Sequence, residues 1–133
     1  YGCMLILTSL EKVLGGLEEV LAMEKTPVVR DSAIQRFEYT YELSVKMLRR
    51  YLEMSEPTST TVDELAFKDF IRFGAEKGCI TSPEHWFDYR LARNITSHAY
   101  DEKKAEEIYA VLPGFLQEAK SLLIELQKRK NDV

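Results

Sequence analysis

Apolar residues recur every three or four positions along most of this 133-residue chain, and this period constrains the fold more than any other feature. Such spacing places the residues on one face of an α-helix, whereas a half-buried strand needs apolar residues at every second position. The clearest stripe lies in the segment 31–54. Its members are Ile34, Phe37, Tyr41, Val45, Leu48 and Leu52. No segment alternates for long, so we expect an all-α protein.

Breaks in this pattern define the first two helices. The first helix is predicted over Leu5–Glu24, and Pro27 marks the break that follows it. The second helix is predicted over Asp31–Met54, with either Asp31 or Ser32 capping its start.

The remaining helices are separated by equally plain signals. A polar loop leads to the capping box Thr61–Glu64, which opens a short third helix, and Gly74 and Gly78 bracket the end of that helix. Pro83 suits the first turn of a fourth helix. The last helix is predicted to start near Asp101 and to kink or break at Pro113. These segments predict an antiparallel up-and-down bundle of four to five helices with short connections.

Length and composition limit the class of protein. The length suits one domain over residues 1–133, which can bury roughly two thirds of its unfolded surface. Cys3 and Cys79 form no paired motif, and His85 and His98 add no ligand-like spacing, so we expect no metal, no other cofactor and a reducing, cytoplasmic location. No apolar run approaches the ~20 residues of a membrane span. The net charge of -4 argues against coating nucleic acid through bulk charge but allows a local basic site.

The stretch richest in chemistry is 93–100, Arg-Asn-Ile-Thr-Ser-His-Ala-Tyr. Arg93 can hold a phosphate through two parallel hydrogen bonds, and His98 can move protons near neutral pH. Asn94 and Tyr100 add an amide and a phenol. Asn94 and His98 share a face if the helix persists that far, whereas Arg93 and His98 diverge on one ideal helix. They meet if the helix ends just before His98, or if two copies meet across a two-fold axis.

Plainer interpretations exist for the charged and aromatic residues. A histidine at a helix C-terminus is stabilised by the helix dipole, and an arginine on a charged helix is usually a solvated partner of carboxylates. Trp86 and Tyr89 could stack a base, with Arg90 beside them as an RNA contact, although core packing is the commoner use of such rings. Arg30, Arg49 and Arg50 could form a basic patch, although a solvated helix face is commoner.

The motif resembles the signature of a known group of proteins. Arg93–His98 is similar to the Arg-x4-6-His motif of HEPN domains, including the polar residue after the arginine. Together with Ile34–Leu43, Trp86 and Arg93–Glu102, it makes nearly the whole chain resemble the nucleotidyltransferase substrate-binding protein family within that group. The resemblance implies a helical bundle that forms a homodimer and brings two Arg-His pairs together in a cleft. It also implies a minimal nucleotidyltransferase as partner, in pairs that resemble toxin–antitoxin systems.

The resemblance also implies roles for single residues. In ribonuclease members, cleavage of RNA needs no metal, so Arg93 would hold the scissile phosphate and His98 would act as general acid or base toward the ribose 2′-hydroxyl. Asn94 would orient the histidine. Tyr100 lies two residues after the histidine, where the partner of some members transfers AMP and silences the site.

Three alternatives remain open from the sequence. The first is a subunit that binds nucleotide or RNA with ribonuclease activity. The second is a non-catalytic subunit that holds nucleotide for the partner transferase, with Arg93 and His98 as phosphate ligands and Trp86 and Arg90 beside them. The third is a purely structural dimer whose motif caps a helix. Glu38 and Glu42 also belong to the family pattern, and they face either the cleft or the partner.

Overall fold

The computed structural model describes residues 6–55 and 66–129, and every regular element in these two ranges is helical. The elements in chain order are α1 (Thr8–Leu21), α2 (Pro27–Ser55), α3 (Phe67–Glu76), α4 (Pro83–Asn94), a 3-10 turn (Thr96–His98) and α5 (Glu102–Arg129). The prediction of an all-α bundle of four to five helices is therefore confirmed.

The long helices α2 and α5 pack along each other, and α1 packs against both. The apolar stripe of α1 faces them with Leu10, Leu14, Leu17 and Val20, all of which are buried. The short helices α3 and α4 pack together, and α4 also contacts α2 and α5. Of the helices that the structure describes, none has the length and apolar character needed to cross a membrane.

The core around α4 is built on Phe115 of α5, which is fully buried. Its ring centroid lies 4.9 Å from that of Phe37 and 6.4 Å from that of Tyr41, both on α2. On α4, the rings of Tyr89 and Trp86 lie 5.2 and 6.0 Å away. Edge-to-face contacts of this kind stabilise aromatic pairs beyond their buried area. Phe115 thus fixes α2 and α4 against α5.

The start of α2 differs from the prediction. The side-chain oxygen of Thr26 accepts a hydrogen bond from the backbone N–H of Val29 at 3.1 Å, so Thr26 caps the helix. Pro27 takes the first helical position, where its missing N–H costs nothing. The proposed caps Asp31 and Ser32 are wrong, because both lie inside the helix. The first helix is also shorter than predicted, since α1 ends at Leu21.

Three glycine and proline assignments have different outcomes. The third helix ends at Glu76, between Gly74 and Gly78, as predicted: Gly74 is buried in its last turn, and Gly78 follows the end with a φ of 82°. Pro113 does not break α5, which runs unbroken for 28 residues. Pro113 is exposed, so water can reach the carbonyl that its missing N–H leaves without a partner.

The predicted starts of the later helices have mixed outcomes. The side chain of Asp101 accepts a hydrogen bond from the backbone N–H of Lys103 at 2.9 Å. Asp101 thus caps α5, and the predicted start of this helix is confirmed. Pro83 is the first residue of α4, as predicted. The predicted loop and the capping box Thr61–Glu64 lie outside the described residues.

Candidate functional site

The residues of the Arg-His motif lie where α4 ends and the chain turns. The last helical residue is Asn94, and the 3-10 turn Thr96–His98 follows it. The Thr96 hydroxyl donates a 2.8 Å hydrogen bond to the carbonyl of Arg93, and the N–H of His98 donates to the carbonyl three residues earlier at 2.9 Å. The helix thus ends before His98, which is one of the two conditions under which Arg93 and His98 can come together.

The guanidinium of Arg93 is held by two carboxylates of α2. Its Nε donates to Glu42 Oε1 at 3.0 Å, and its Nη2 donates to the same oxygen. Glu38 Oε2 lies 3.7 Å from Nη2. The hydrogen bond to Glu42 is the main cause that raises the pKa of Arg93, against the opposing effect of burial. The two glutamates of the family pattern therefore face Arg93 within the same chain.

The imidazole and the phenol of the motif are both open to solvent. His98 is exposed, and Tyr100 is 86% exposed. Their ring centroids lie 6.1 Å apart with the planes at 66°. A phenol so exposed buries almost no apolar surface, so packing does not explain Tyr100.

Asn94 is also exposed at the end of α4. In residues 6–55 and 66–129, no hydrogen bond joins its side chain to His98, so the orienting role of Asn94 stays a prediction.

Trp86 and Arg90, the two residues expected beside the site, differ in accessibility. Trp86 is 1% exposed and packs on Tyr89 and Phe115, so its ring cannot stack a base, and that assignment is wrong. The physical reason is that Trp86 lies on the face of α4 that meets α5. Arg90 is exposed, and its guanidinium lies 4.3 Å from the ring centroid of Phe67.

Beneath the motif lies Tyr41 of α2. Burial raises the pKa of its phenol to about 12, although the positive charges of Arg90 and Arg93 act in the opposite direction. Both guanidiniums therefore lie near this phenol. Tyr41 is 6% exposed, so it supports the floor of the site as a core residue.

The second histidine lies at the opposite end of α4. His85 is exposed, and its Nδ1 is 2.8 Å from Glu118 Oε2, which also accepts a hydrogen bond from the Tyr89 hydroxyl. Within the part of the chain that the structure describes, no group of three or more His, Cys, Asp or Glu side chains could hold a metal ion.

Sequence comparison identifies a relative of this chain. The chain is 42% identical over 97 residues to a Haemophilus influenzae protein named "Probable ribonuclease HepT". The match covers 73% of this chain and 66% of the relative, so it spans just under two thirds of that relative's own length.

Comparison of structures identifies the same fold in two solved proteins. The first is a Haemophilus influenzae protein described as revealing the fold of a substrate binding domain of a nucleotidyltransferase. It is 34% identical, with a TM-score of 0.87 over 92% of this chain and 99% of the other. The second is a Thermus thermophilus protein, 33% identical, with a TM-score of 0.77 over 88% of this chain and 98% of the other.

The fold and the motif at the end of α4 thus define an all-α protein of the class that includes a nucleotidyltransferase substrate binding domain. Residues 5–128 match the family described as "Nucleotidyltransferase substrate binding protein like", and the chain belongs to that family.

Proposed function

We propose that this chain is the HEPN-type subunit of a two-component nucleotidyltransferase system that resembles a toxin–antitoxin pair. In this proposal two copies form a cleft that binds RNA or nucleotide and cleaves RNA without a metal. The observation that carries it is the placement of Arg93, His98 and Tyr100 at one turn, with His98 and Tyr100 exposed to solvent. Membership of the family and the ribonuclease name of one relative support it.

The chemistry follows from these groups. Arg93 holds the two non-bridging oxygens of the scissile phosphate and offsets the charge that develops during attack. His98 takes the proton of the neighbouring ribose 2′-hydroxyl, whose oxygen then attacks phosphorus. The bond from phosphorus to the 5′ oxygen breaks, and that oxygen takes up a proton. The products are a 2′,3′-cyclic phosphate and a free 5′-hydroxyl.

Tyr100 is the proposed site of control by the partner. Its hydroxyl would give up its proton to water, its oxygen would attack the α-phosphorus of a nucleoside triphosphate held by the transferase, and pyrophosphate would leave. The resulting nucleotide would lie beside His98, because the two rings are already 6.1 Å apart. Its phosphodiester charge would also compete with RNA for Arg93, so the modification would silence cleavage.

Cleavage of RNA in EDTA by purified protein tests this function. The variant His98→Ala should abolish the reaction, whereas His85→Ala should leave it unchanged, because His85 lies at the other end of α4 and contacts Glu118. Products of the parent protein should end in 2′,3′-cyclic phosphate. Equal activity in the two histidine variants would show that the cleavage does not come from this site.

The alternative is a non-catalytic subunit that binds nucleotide for the transferase. The net charge of -4 favours it, because a nuclease that acts on long RNA usually gains from a broader basic surface. In that case the protein should not cleave RNA even when its intact mass shows that Tyr100 is unmodified. It should bind AMP saturably, and Arg93→Ala should weaken that binding. A third candidate, a structural dimer, requires that Arg93→Ala and His98→Ala change stability and no ligand binding.

A further inference from the structure

A second group of cations lies on the surface that α3 and α4 form together. The ammonium of Lys68 and the guanidinium of Arg72 lie 5.7 and 5.5 Å from the ring centroid of Phe87. Arg90 covers Phe67 at 4.3 Å, and the two rings lie 6.5 Å apart. Both rings are only partly buried. We call these five residues the basic-aromatic face.

The cations of this face keep their hydrogen-bond donors available. A ring attracts a cation through its quadrupole and does not need the strong hydrogen bonds that a carboxylate takes up. Within the described residues, Lys68 and Arg90 have no carboxylate partner, and Arg72 lies 3.8 Å from Asp69 in a pair that is more than half exposed. Exposed pairs of this kind are weak. The chain as a whole has a net charge of -4, so this group of cations is a local feature and not part of a generally basic surface.

The basic-aromatic face continues into the candidate site. Arg90 precedes Arg93 by three residues, so their side chains lie on neighbouring turns of one side of α4. The charges of both guanidiniums act on the phenol of Tyr41, so both lie near it. A path of positive charge therefore leads from Phe87 and Phe67 through Arg90 to Arg93.

We infer that the basic-aromatic face binds the single-stranded RNA that flanks the scissile phosphate. The inference rests on the proposed function, which makes RNA the substrate. Phosphates pair with Lys68, Arg72 and Arg90, and unstacked bases lie against the phenylalanine rings or on the guanidinium planes. The partner is a single strand because the bases of a duplex are stacked on each other and do not present their faces to a ring.

Binding of a fluorescein-labelled oligoadenylate tests this inference. All proteins carry His98→Ala so that the RNA stays intact. The test variant adds Lys68→Ala and Arg90→Ala. The control adds Lys12→Ala and Lys128→Ala, which remove the same charge from exposed positions on α1 and at the end of α5. The test variant should bind roughly tenfold more weakly than the control. The logarithm of its binding constant should also fall less steeply with the logarithm of the salt concentration, by about 1.4 in slope, or about 0.7 for each lost phosphate contact.

A ring variant separates stacking from charge. Phe87→Leu keeps an apolar side chain and should weaken binding at least about fivefold with the salt slope unchanged. An unchanged affinity in Phe87→Leu would overturn the stacking role. Equal weakening on an oligoadenylate–oligouridylate duplex would overturn the assignment to single strands.

A mononucleotide probe distinguishes this inference from the proposed function. AMP carries a single phosphate, so Arg93 can hold it without Lys68, and AMP binding should weaken in Arg93→Ala but not in Lys68→Ala alone. If AMP binding needs Arg93 while the test variant binds oligoadenylate as the control does, the inference is wrong and the proposed function stands. If Arg93→Ala changes neither AMP nor oligoadenylate binding, the proposed function is wrong. Absence of oligoadenylate binding by the parent protein also overturns the inference.

Discussion

Replacing Glu42 by glutamine tests whether the carboxylates of the site compete with a phosphate for Arg93. Glu42→Gln keeps an oxygen that can accept the 3.0 Å hydrogen bond from Nε and removes the negative charge. The side chains of Arg93 and Glu42 are 31% and 54% exposed, so solvent screens their ion pair. The interaction therefore contributes a free energy of about 0.5–1 kcal/mol. Released from this competition, Arg93 should bind AMP roughly two- to fivefold more tightly.

The assay is calorimetric titration of AMP into protein at low and high ionic strength. Glu19→Gln is the matched control, because Glu19 is an exposed carboxylate of α1 and its removal changes the net charge equally. The gain in Glu42→Gln should shrink as salt is added, since the ions screen partly exposed charges. The free energy of unfolding should change by no more than about 1 kcal/mol.

Two results would refute this reasoning. Weaker AMP binding in Glu42→Gln than in the parent would mean that Glu42 positions Arg93 for the phosphate and does not compete with it. Binding equal to that of Glu19→Gln would mean that the contact between Glu42 and Arg93 does not limit access to the guanidinium.

Two further predictions concern stability. Phe115→Ala should lower the free energy of unfolding, measured in urea, by about 3–5 kcal/mol. Ile124 is 53% exposed on the same helix, so Ile124→Ala should lower it by less than about 1 kcal/mol. Equal losses in the two variants would contradict the core position of Phe115. Hydrogen bonds lower the pKa of the Glu106 carboxyl, the one from Lys25 more than the one from Arg30. The ionised carboxylate therefore stabilises the folded protein at pH values above the pKa of Glu106 in the unfolded chain, and this stabilisation is lost as pH falls through the pKa in the folded protein. Glu106→Gln should therefore be less stable than the parent at neutral pH, with a difference that shrinks below about pH 4 in urea unfolding; a difference independent of pH would contradict the pairing.

The sequence predicts the helices well because burial and helical period reinforce each other along the chain. Phe37, Tyr41, Leu48 and Leu52 of the predicted stripe are all buried in α2. Helix ends are harder, because several side chains near a terminus can cap it, and only the path of the chain decides which one reaches a free N–H. Thr26 caps α2 for this reason, ahead of the predicted start at Asp31.

The site is less predictable than the fold because its parts come from distant segments. The spacing within 93–100 relates Arg93 to His98 but carries no information about Glu42, which lies 51 positions away. Composition also cannot distinguish a ring that stacks a base from one that fills the core. Trp86 shows this, since an indole suited to either role is 1% exposed.

The core and the candidate site are joined through Phe115. Its ring packs against Phe37 and Tyr41, and on α2 each of these is followed directly by one of the glutamates that face Arg93. On the other side it packs against the rings of α4, whose next turn carries Arg93 itself. Because the buried rings fix the two helices, the neighbouring polar residues emerge at the same edge, and Glu42 meets Arg93 there. The Arg-His spacing alone therefore does not make this site, since the same motif on a helix packed differently would lack the carboxylates that hold the guanidinium.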